Sequence, residues 1–425
     1  MAGEDRSSNP AEALLGGLLF PKISHAFRIA LQPSKVLAGL LAVGVITGTG
    51  WLMDLAGKAP VMVDGGRVLR MEVDVYVAGE NIQAYAQEAT GRIGVFRMMW
   101  RFGSNRFHDA VYGLLDGDFG RVGANVADAL GGVAWLFRCH PVYGILFAAV
   151  SFVVFCITGG AICRMAAVQF ARGQKVGLFS GLWYGIRRFT SFAGAPLSSV
   201  AIMFALGLFI FLIGLLGNIP RAGELLVTVL LFLSLVPGVL ITVVFIGLVG
   251  GMHLMFPAVA YDGSDSFDAI NRSFSYVYAR PWRTAFYTVL AAVYGAICYV
   301  FVRLFLAVVL WATRWFLALA IFTPGSSRET DKLVAIWPEP AFSNLYGRAA
   351  VSSANWSEAA ASWVVYGYVM LAVGLLAAFV MSFYCSAQTI LYGLLRKRVD
   401  NTALDDVYMP HVSPVADIEA GDDEE

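Results

Sequence analysis

Residues 225–252 read LLVTVLLFLSLVPGVLITVVFIGLVGGM and contain no charged side chain. An uncharged apolar run beyond ~18 residues marks a bilayer span, since it matches the thickness of the hydrocarbon core as a helix. Comparable runs recur along the chain, which has 425 residues, 58% of them hydrophobic and only 14% charged. Soluble domains carry roughly 25% charged residues. The chain is therefore expected to be an all-α polytopic membrane protein.

Six transmembrane helices are predicted, at Val36–Leu55, Val142–Ile162, Ser198–Gly217, Glu224–Met255, Thr284–Phe322 and Ala361–Ala387. The remaining segments are a leader (1–35), a long polar connection (56–141), loops at 163–197, 256–283 and 323–360, and a tail (388–425). The first span follows a 35-residue leader with no clean small-residue cleavage site, so it reads as uncleaved. Loop 163–197 carries Arg164, Arg172, Lys175, Arg187 and Arg188 with no acidic residue, which assigns it to the cytoplasm. Alternation then puts both termini inside, consistent with Lys22, Arg28 and Lys35 before span one and Arg396-Lys397-Arg398 after span six. The fourth span carries Pro237-Gly238, which favours a kink. The fifth run would extend about 58 Å as one helix and includes Arg303 and Arg314, spaced to share a face, with Trp311 and Trp315 as interfacial anchors. One long helix leaving the outer face near Arg303 keeps the Arg396 cluster inside; two spans would not.

The stretch YDGSDSFDAINRSFSYVYARPWR (261–283) is oddly polar between two such runs. Phe267, Ile270, Phe274, Val277 and Tyr278 recur at helical steps, Asp265 is placed to cap, Asp268 and Arg272 form an i,i+4 pair, and Pro281 ends the pattern. The expectation is a cytoplasmic in-plane amphipathic helix, with Trp282 marking the interface. Two similar stretches precede spans one (Ile23, Phe27, Leu31, then Pro33) and three (Leu178, Leu182, Ile186, Phe189, then Pro196). Three hairpin units, each introduced by such a helix, form one reading; amphipathic loops that merely join spans form the other.

The extracytoplasmic segment 56–141 is expected to be small and mixed. A hairpin over 61–77 turns at Asp64-Gly65-Gly66, followed by helices over 80–100, 104–115 and 121–138 packed on the outer membrane face. Residues 323–360, broken by Pro324, Pro338 and Pro340, are expected to cover it, and 1–10 and 400–425 to be disordered.

Chemistry is sparse. Formal net charge is zero, so nothing favours nucleic acid. The five cysteines (Cys139, Cys156, Cys163, Cys298, Cys385) form no CxxC or Cys/His metal spacing. His108-Asp109, Asp116, Asp118 and Cys139-His140 would serve a metal or acid–base site if they converged, but they fit no HExxH, calcium-loop or triad pattern. His253 reads as a packing residue, and Asp54 and Glu224 as span-end residues. Only Arg303 approaches an ionisable group within the bilayer, and no P-loop is present. Gly247-x-x-x-Gly251, Ala292-x-x-x-Ala296 and Gly159-Gly160 offer small faces for packing within the chain. Asn271 and Asn355 match the glycosylation pattern, the first on the inner side. No catalytic, cofactor or metal residue is assigned.

At AVQFARGQKVG, LFIFLIGLLGNIP and DGSDSFDAINRSFSYVYARPWRTAFYTVLAAVYGAICY the chain resembles a family of multi-pass inner-membrane proteins of planctomycete-type bacteria that has no assigned activity, over about residues 80–410. DAINRSFSYV is also similar to an in-plane helix in membrane domains that accompany glycerophosphodiester phosphodiesterases. The resemblance implies location and architecture only. The expected function is a non-enzymatic scaffold or accessory subunit bound to lipid and to a membrane-protein partner. The alternative is a transporter or channel for a small or lipophilic solute, moving at Pro237-Gly238, and a membrane enzyme is a third reading.

Overall fold

The computed structural model describes residues 20–64, 67–321, 332–342, 344–346 and 355–409. It is an all-α polytopic architecture: six helices are long and apolar enough to cross a membrane. These are α2 (Pro33–Met53), α7 (Pro141–Arg172), α9 (Phe189–Leu216), α10 (Gly223–Asp262), α12 (Pro281–Ala320) and α14 (Trp356–Val399). Between them lie α1 (His25–Ala30), preceded by a short 3-10 turn; β1 (Lys58–Asp64); β2 (Arg67–Met71); α3 (Glu72–Val77); α4 (Ile82–Glu88); β3 (Gly91–Gly94); α5 (Val95–Asp116); and α6 (Phe119–Cys139). Later come α8 (Leu178–Arg187), α11 (Ser266–Ala279) and α13 (Lys332–Ile336). We call the end carrying α1, α8, α11 and the chain after α14 proximal, and the end carrying the sheet distal.

Each predicted span is present, and the fifth is one continuous helix, α12. The helices run past the apolar stretches because their polar ends pack on one another rather than ending in water. α7 continues ten residues beyond Ile162, and Ile162 through Val168 are all buried. The proximal core joins all of this: Ile23, Ala26 and Ile29 from the leader, Cys163–Ala167 of α7, Leu254–Tyr261 of α10, Tyr276 of α11 and Ile390–Leu395 of α14.

Three local expectations need correction. Pro196 does not end the helix before span three; the break falls at Arg188, and Pro196 sits inside α9. Residues 72–77 are not the second half of a hairpin strand but helix α3. Asp74 accepts the Met71 N–H at 3.2 Å, and the acidic residues of the first turn suit a helix N-terminus better than a strand. The 80–100 helix is interrupted by β3, which pairs antiparallel with β1 (Lys58↔Gly94, Val61↔Gly91) to give the sheet order β2-β1-β3. The hairpin pairing of β1 with β2 is as expected, with Asp64 opposite Arg67; its turn residues 65–66 lie outside the described residues, as do 1–10, Pro324 and 410–425.

The tail expectation was too broad. Residues 400–409 form a strap across the proximal end, with Val407 buried and the Tyr408 N–H donating to the Tyr261 carbonyl at 2.9 Å.

Faces also differ from the sequence pattern. On α11, Phe267 and Tyr278 are exposed, whereas Ala269, Ile270, Ser273, Tyr276 and Val277 are buried. That stripe fits α10, where Phe274 lies over Gly247 and Val277 over Gly250; an added Cβ would sit 2.8 and 2.9 Å from those side chains. The glycine face thus receives the polar helix of the same chain, a close-packing use of small residues. At Gly160, an added Cβ would meet the Phe192 ring at 2.6 Å, again packing within the chain.

Candidate functional site

Among the described residues, the densest constellation of ionisable groups lies where α10, α11, α14 and the strap meet. α10 ends at Asp262 because Gly263 takes a left-handed conformation (φ 66°) that few other residues adopt. The turn points the Asp262 carboxylate inward, leaving its side chain 6% exposed. It accepts from Arg272 Nη1 at 3.0 Å and from the Tyr392 hydroxyl, and Arg396 Nε stands 3.1 Å from its second oxygen. Arg396 continues outward: Nη1 donates to the Asp406 carbonyl at 2.5 Å and Nη2 to its carboxylate at 2.9 Å. The Tyr276 hydroxyl donates to Asp400, and the Tyr261 hydroxyl to the Leu404 carbonyl.

Beside this hub, Arg164 donates to the Ala260 carbonyl at 3.0 Å and lies over the Tyr184 ring at 4.8 Å. Burial works against the charge of Arg272, but Asp262 and Asp268 outweigh it and hold its pKa above the ordinary value. Burial, then Asp400, pushes the Tyr276 phenol up. Each charge faces an opposite charge or a dipole. The arrangement clamps the strap, two helices and the end of α10, and it leaves no free acid–base pair aimed into a cavity.

Lys35 is a second buried cation, fully inaccessible. Its ammonium donates to the Ile29 carbonyl (3.1 Å), to Gln32 (2.6 Å) and to Gln169 of α7, which uses all three of its donors. Lys35, Arg164 and Arg396 entered the orientation argument as surface charges; all three are buried tethers. A cleft of about 420 Å³ opens beside the strap, lined by Lys22, His25, Phe170, Lys397, Leu404 and Asp405 among others.

At the distal end, Arg303 of α12 meets His108 of α5. The Tyr299 hydroxyl is 2.6 Å from His108 Nε2 and accepts from Arg303 Nη1 at 2.9 Å; Nη1 also contacts Nε2. Arg303 Nε and Nη2 donate to the Phe342 carbonyl at 3.0 and 2.8 Å, and Arg314 Nε to the Trp337 carbonyl at 3.2 Å. The expected arginine stripe of α12 is therefore the anchor for residues 332–342. Burial, with Arg303 alongside, pulls His108 down to about 4. A neutral imidazole accepting at Nε2 fits; it is locked in place rather than poised.

Of the other polar candidates, Asp109, Asp116 and Asp118 gather on Arg121, and His140 pairs elsewhere. Asp116 and Asp109 pair with Arg121 at 3.5 and 3.4 Å, and Asp118 caps α6 by accepting the Arg121 N–H at 2.9 Å. His140 lies against the Trp135 ring, 3.5 Å from Glu72. Among the described residues, no three His, Cys, Asp or Glu side chains gather as a metal site. Asp54, expected only to end a span, has a larger part. It accepts the Phe96 and Arg97 N–H groups at 2.7 and 3.2 Å and the Tyr143 hydroxyl at 2.9 Å, so it caps α5 from another element. No sequence spacing signals a cap supplied from more than forty residues away. His253 lies 3.4 Å from the Thr288 hydroxyl.

Compared with known proteins, the chain matches no family model, no curated protein and no solved structure.

Proposed function

We propose that this multi-pass membrane protein is a non-enzymatic accessory or scaffold subunit of a membrane complex, located in a bacterial inner membrane with both termini cytoplasmic. One observation carries the reading. In α9 and α10 only 11% and 6% of the most apolar stretch is buried, against 22–33% in the other four spans. From Glu224 to Ile246 the buried side chain of α10 is Pro237, and Phe232, Val229 and Val239 all face outward. The two helices pack on each other as a hairpin arm, while the rest of the chain grips only their proximal ends. An arm that contributes so little to its own bundle is suited to pack against another protein within the bilayer.

The inside assignment rests on Arg172, Lys175, Arg187 and Arg188, which remain once the buried arginine is set aside, and on a loop with no acidic residue. The distal basic residues do not oppose it, because a connection as long as 56–141 is translocated largely regardless of charge.

The test is photocrosslinking in native membranes from positions 229 and 232 of the arm, with position 305 of α12, also exposed, for comparison. One protein band arising from the arm and not from 305 is the expected result. Lipid adducts alone at all three positions would remove the subunit reading and favour solute or lipid carriage.

A further inference from the structure

A groove of about 310 Å³ lies at the distal end of α2, between Trp51 and Leu55 on one side and Lys58, Arg92 and Arg97 on the other. Its position follows from local structure. Lys58 opens β1 opposite Gly94, while Arg92 lies two residues away on β3, opposite Pro60. Alternation along the strands puts both long side chains on the face away from buried Ala59. Arg97, in the first turn of α5, closes the third side. Among the described residues, none of the three cations has an ion-pair partner within 4 Å, in contrast to Arg70, Arg106 and Arg121 of the same layer.

Asp54, the carboxylate that lines the groove, offsets one of the three charges but forms no ion pair with them. Both Asp54 oxygens are occupied by the two backbone N–H groups and the Tyr143 hydroxyl. Gly94 makes this possible: a Cβ there would fall 2.0 Å from the carboxylate. The groove is therefore net positive, with three cations against one carboxylate whose oxygens are already engaged.

Its depth is set by the span. α2 ends at Met53, and Trp51, Leu52 and Leu55 stay exposed, Leu55 to 77%. A tryptophan and two leucines at a helix end lie at the boundary of hydrocarbon and headgroups. The neighbouring distal layer presents a matching apolar stripe, Val126, Leu130, Val133 and Phe137 of α6, followed by Val142 and Ile145 of α7, all exposed. Cations at headgroup depth with apolar side chains directly beneath fit a phosphate ester attached to acyl chains.

We propose that Lys58, Arg92 and Arg97 bind the phosphate of an anionic phospholipid, with its acyl chains along Trp51 and Leu55. This does not depend on the partner of the hairpin arm or on which leaflet faces the sheet.

The experiment uses the full chain in nanodiscs of phosphatidylcholine with a minor fraction of phosphatidylglycerol, counting co-purified lipid by native mass spectrometry. The expected result is retained phosphatidylglycerol that falls about fivefold for each cation removed in Lys58→Gln, Arg92→Gln and Arg97→Gln. Arg101→Gln, an exposed cation outside the groove, should match wild type, and Arg92→Lys/Arg97→Lys should retain most binding. Amine labelling of Lys58 in the unaltered protein supplies a readout that needs no variant: phosphatidylglycerol discs should protect it relative to pure phosphatidylcholine discs. If millimolar inorganic phosphate protects Lys58 equally in pure phosphatidylcholine, the phosphate site stands and its source is solution. Equal lipid retention in all variants, together with unprotected Lys58 in both discs, overturns the proposal.

Discussion

Asp262, with its side chain 6% exposed, receives Arg272, Tyr392 and Arg396, so its removal takes one carboxylate from two guanidinium groups at once and leaves Arg272 with Asp268 and Arg396 with Asp406. Breaking a buried ion pair from one side costs about 3–5 kcal/mol when the survivor is left unpaired; here the cost falls below that range, because Arg272 is 36% exposed and both arginines keep a second carboxylate. Asp262→Ala should therefore lower the thermal unfolding midpoint in detergent, whereas Asp262→Leu with Arg396→Met should recover part of the loss. A double variant no better than the single would show that the charges act separately. His108 gives a pH signature of known sign. Its pKa falls to about 4 in the folded chain, below the ordinary 6.5, so the folded state resists protonation. Stability from this site is complete above pH 6.5 and is lost as pH falls from 6.5 toward 4. Hydrogen exchange in α5 should rise over that window, and His108→Gln should flatten the dependence. Neither partnership was legible in the sequence. His108 is 195 positions from Arg303, and nothing about an isolated histidine announces a guanidinium across the bundle.

Among the elements, α11 shows where periodicity stops. The three- and four-residue recurrence of apolar side chains, the Asp265 cap and the Asp268–Arg272 pair were readable, because each depends on neighbours within one or two turns. The buried face was not readable, because it depends on the groove at Gly247, Gly250 and Gly251 that α10 offers. Gly250→Leu should displace α11 and cost about 1–3 kcal/mol; faster proteolysis of 263–280 measures it, and unchanged protection would mean that α11 is held elsewhere. Similarly, the β3 residues Gly91–Gly94 have no strand-like composition, and only the edge of β1 recruits them. Gly94→Ala should dislodge Asp54 from the start of α5 and cost about 0.5–2 kcal/mol, the usual worth of a cap.

For the whole molecule, the membrane-crossing pattern makes a direct prediction. Introduced cysteines at exposed positions 175 and 275 should label from the cytoplasmic side, and those at 87 and 339 from the other; a single reversed position would undo the topology. Ending the chain at residue 399 removes the strap, uncovering Tyr261 and Arg396, and should open the proximal end to protease without unseating the spans. The number, order and approximate limits of the spans were determined by sequence alone. Long uncharged helices have nowhere to go but lipid, and that rule operates on local composition. What only the tertiary structure decided is the use of the polar residues: Lys35, Arg164 and Arg396 read as orienting charges and Arg303 as an ionisable group near the outer face of its span, yet each is a buried tether. The physical reason is that a side chain's charge is written in the sequence, whereas the acceptor that makes its burial tolerable arrives from a distant element.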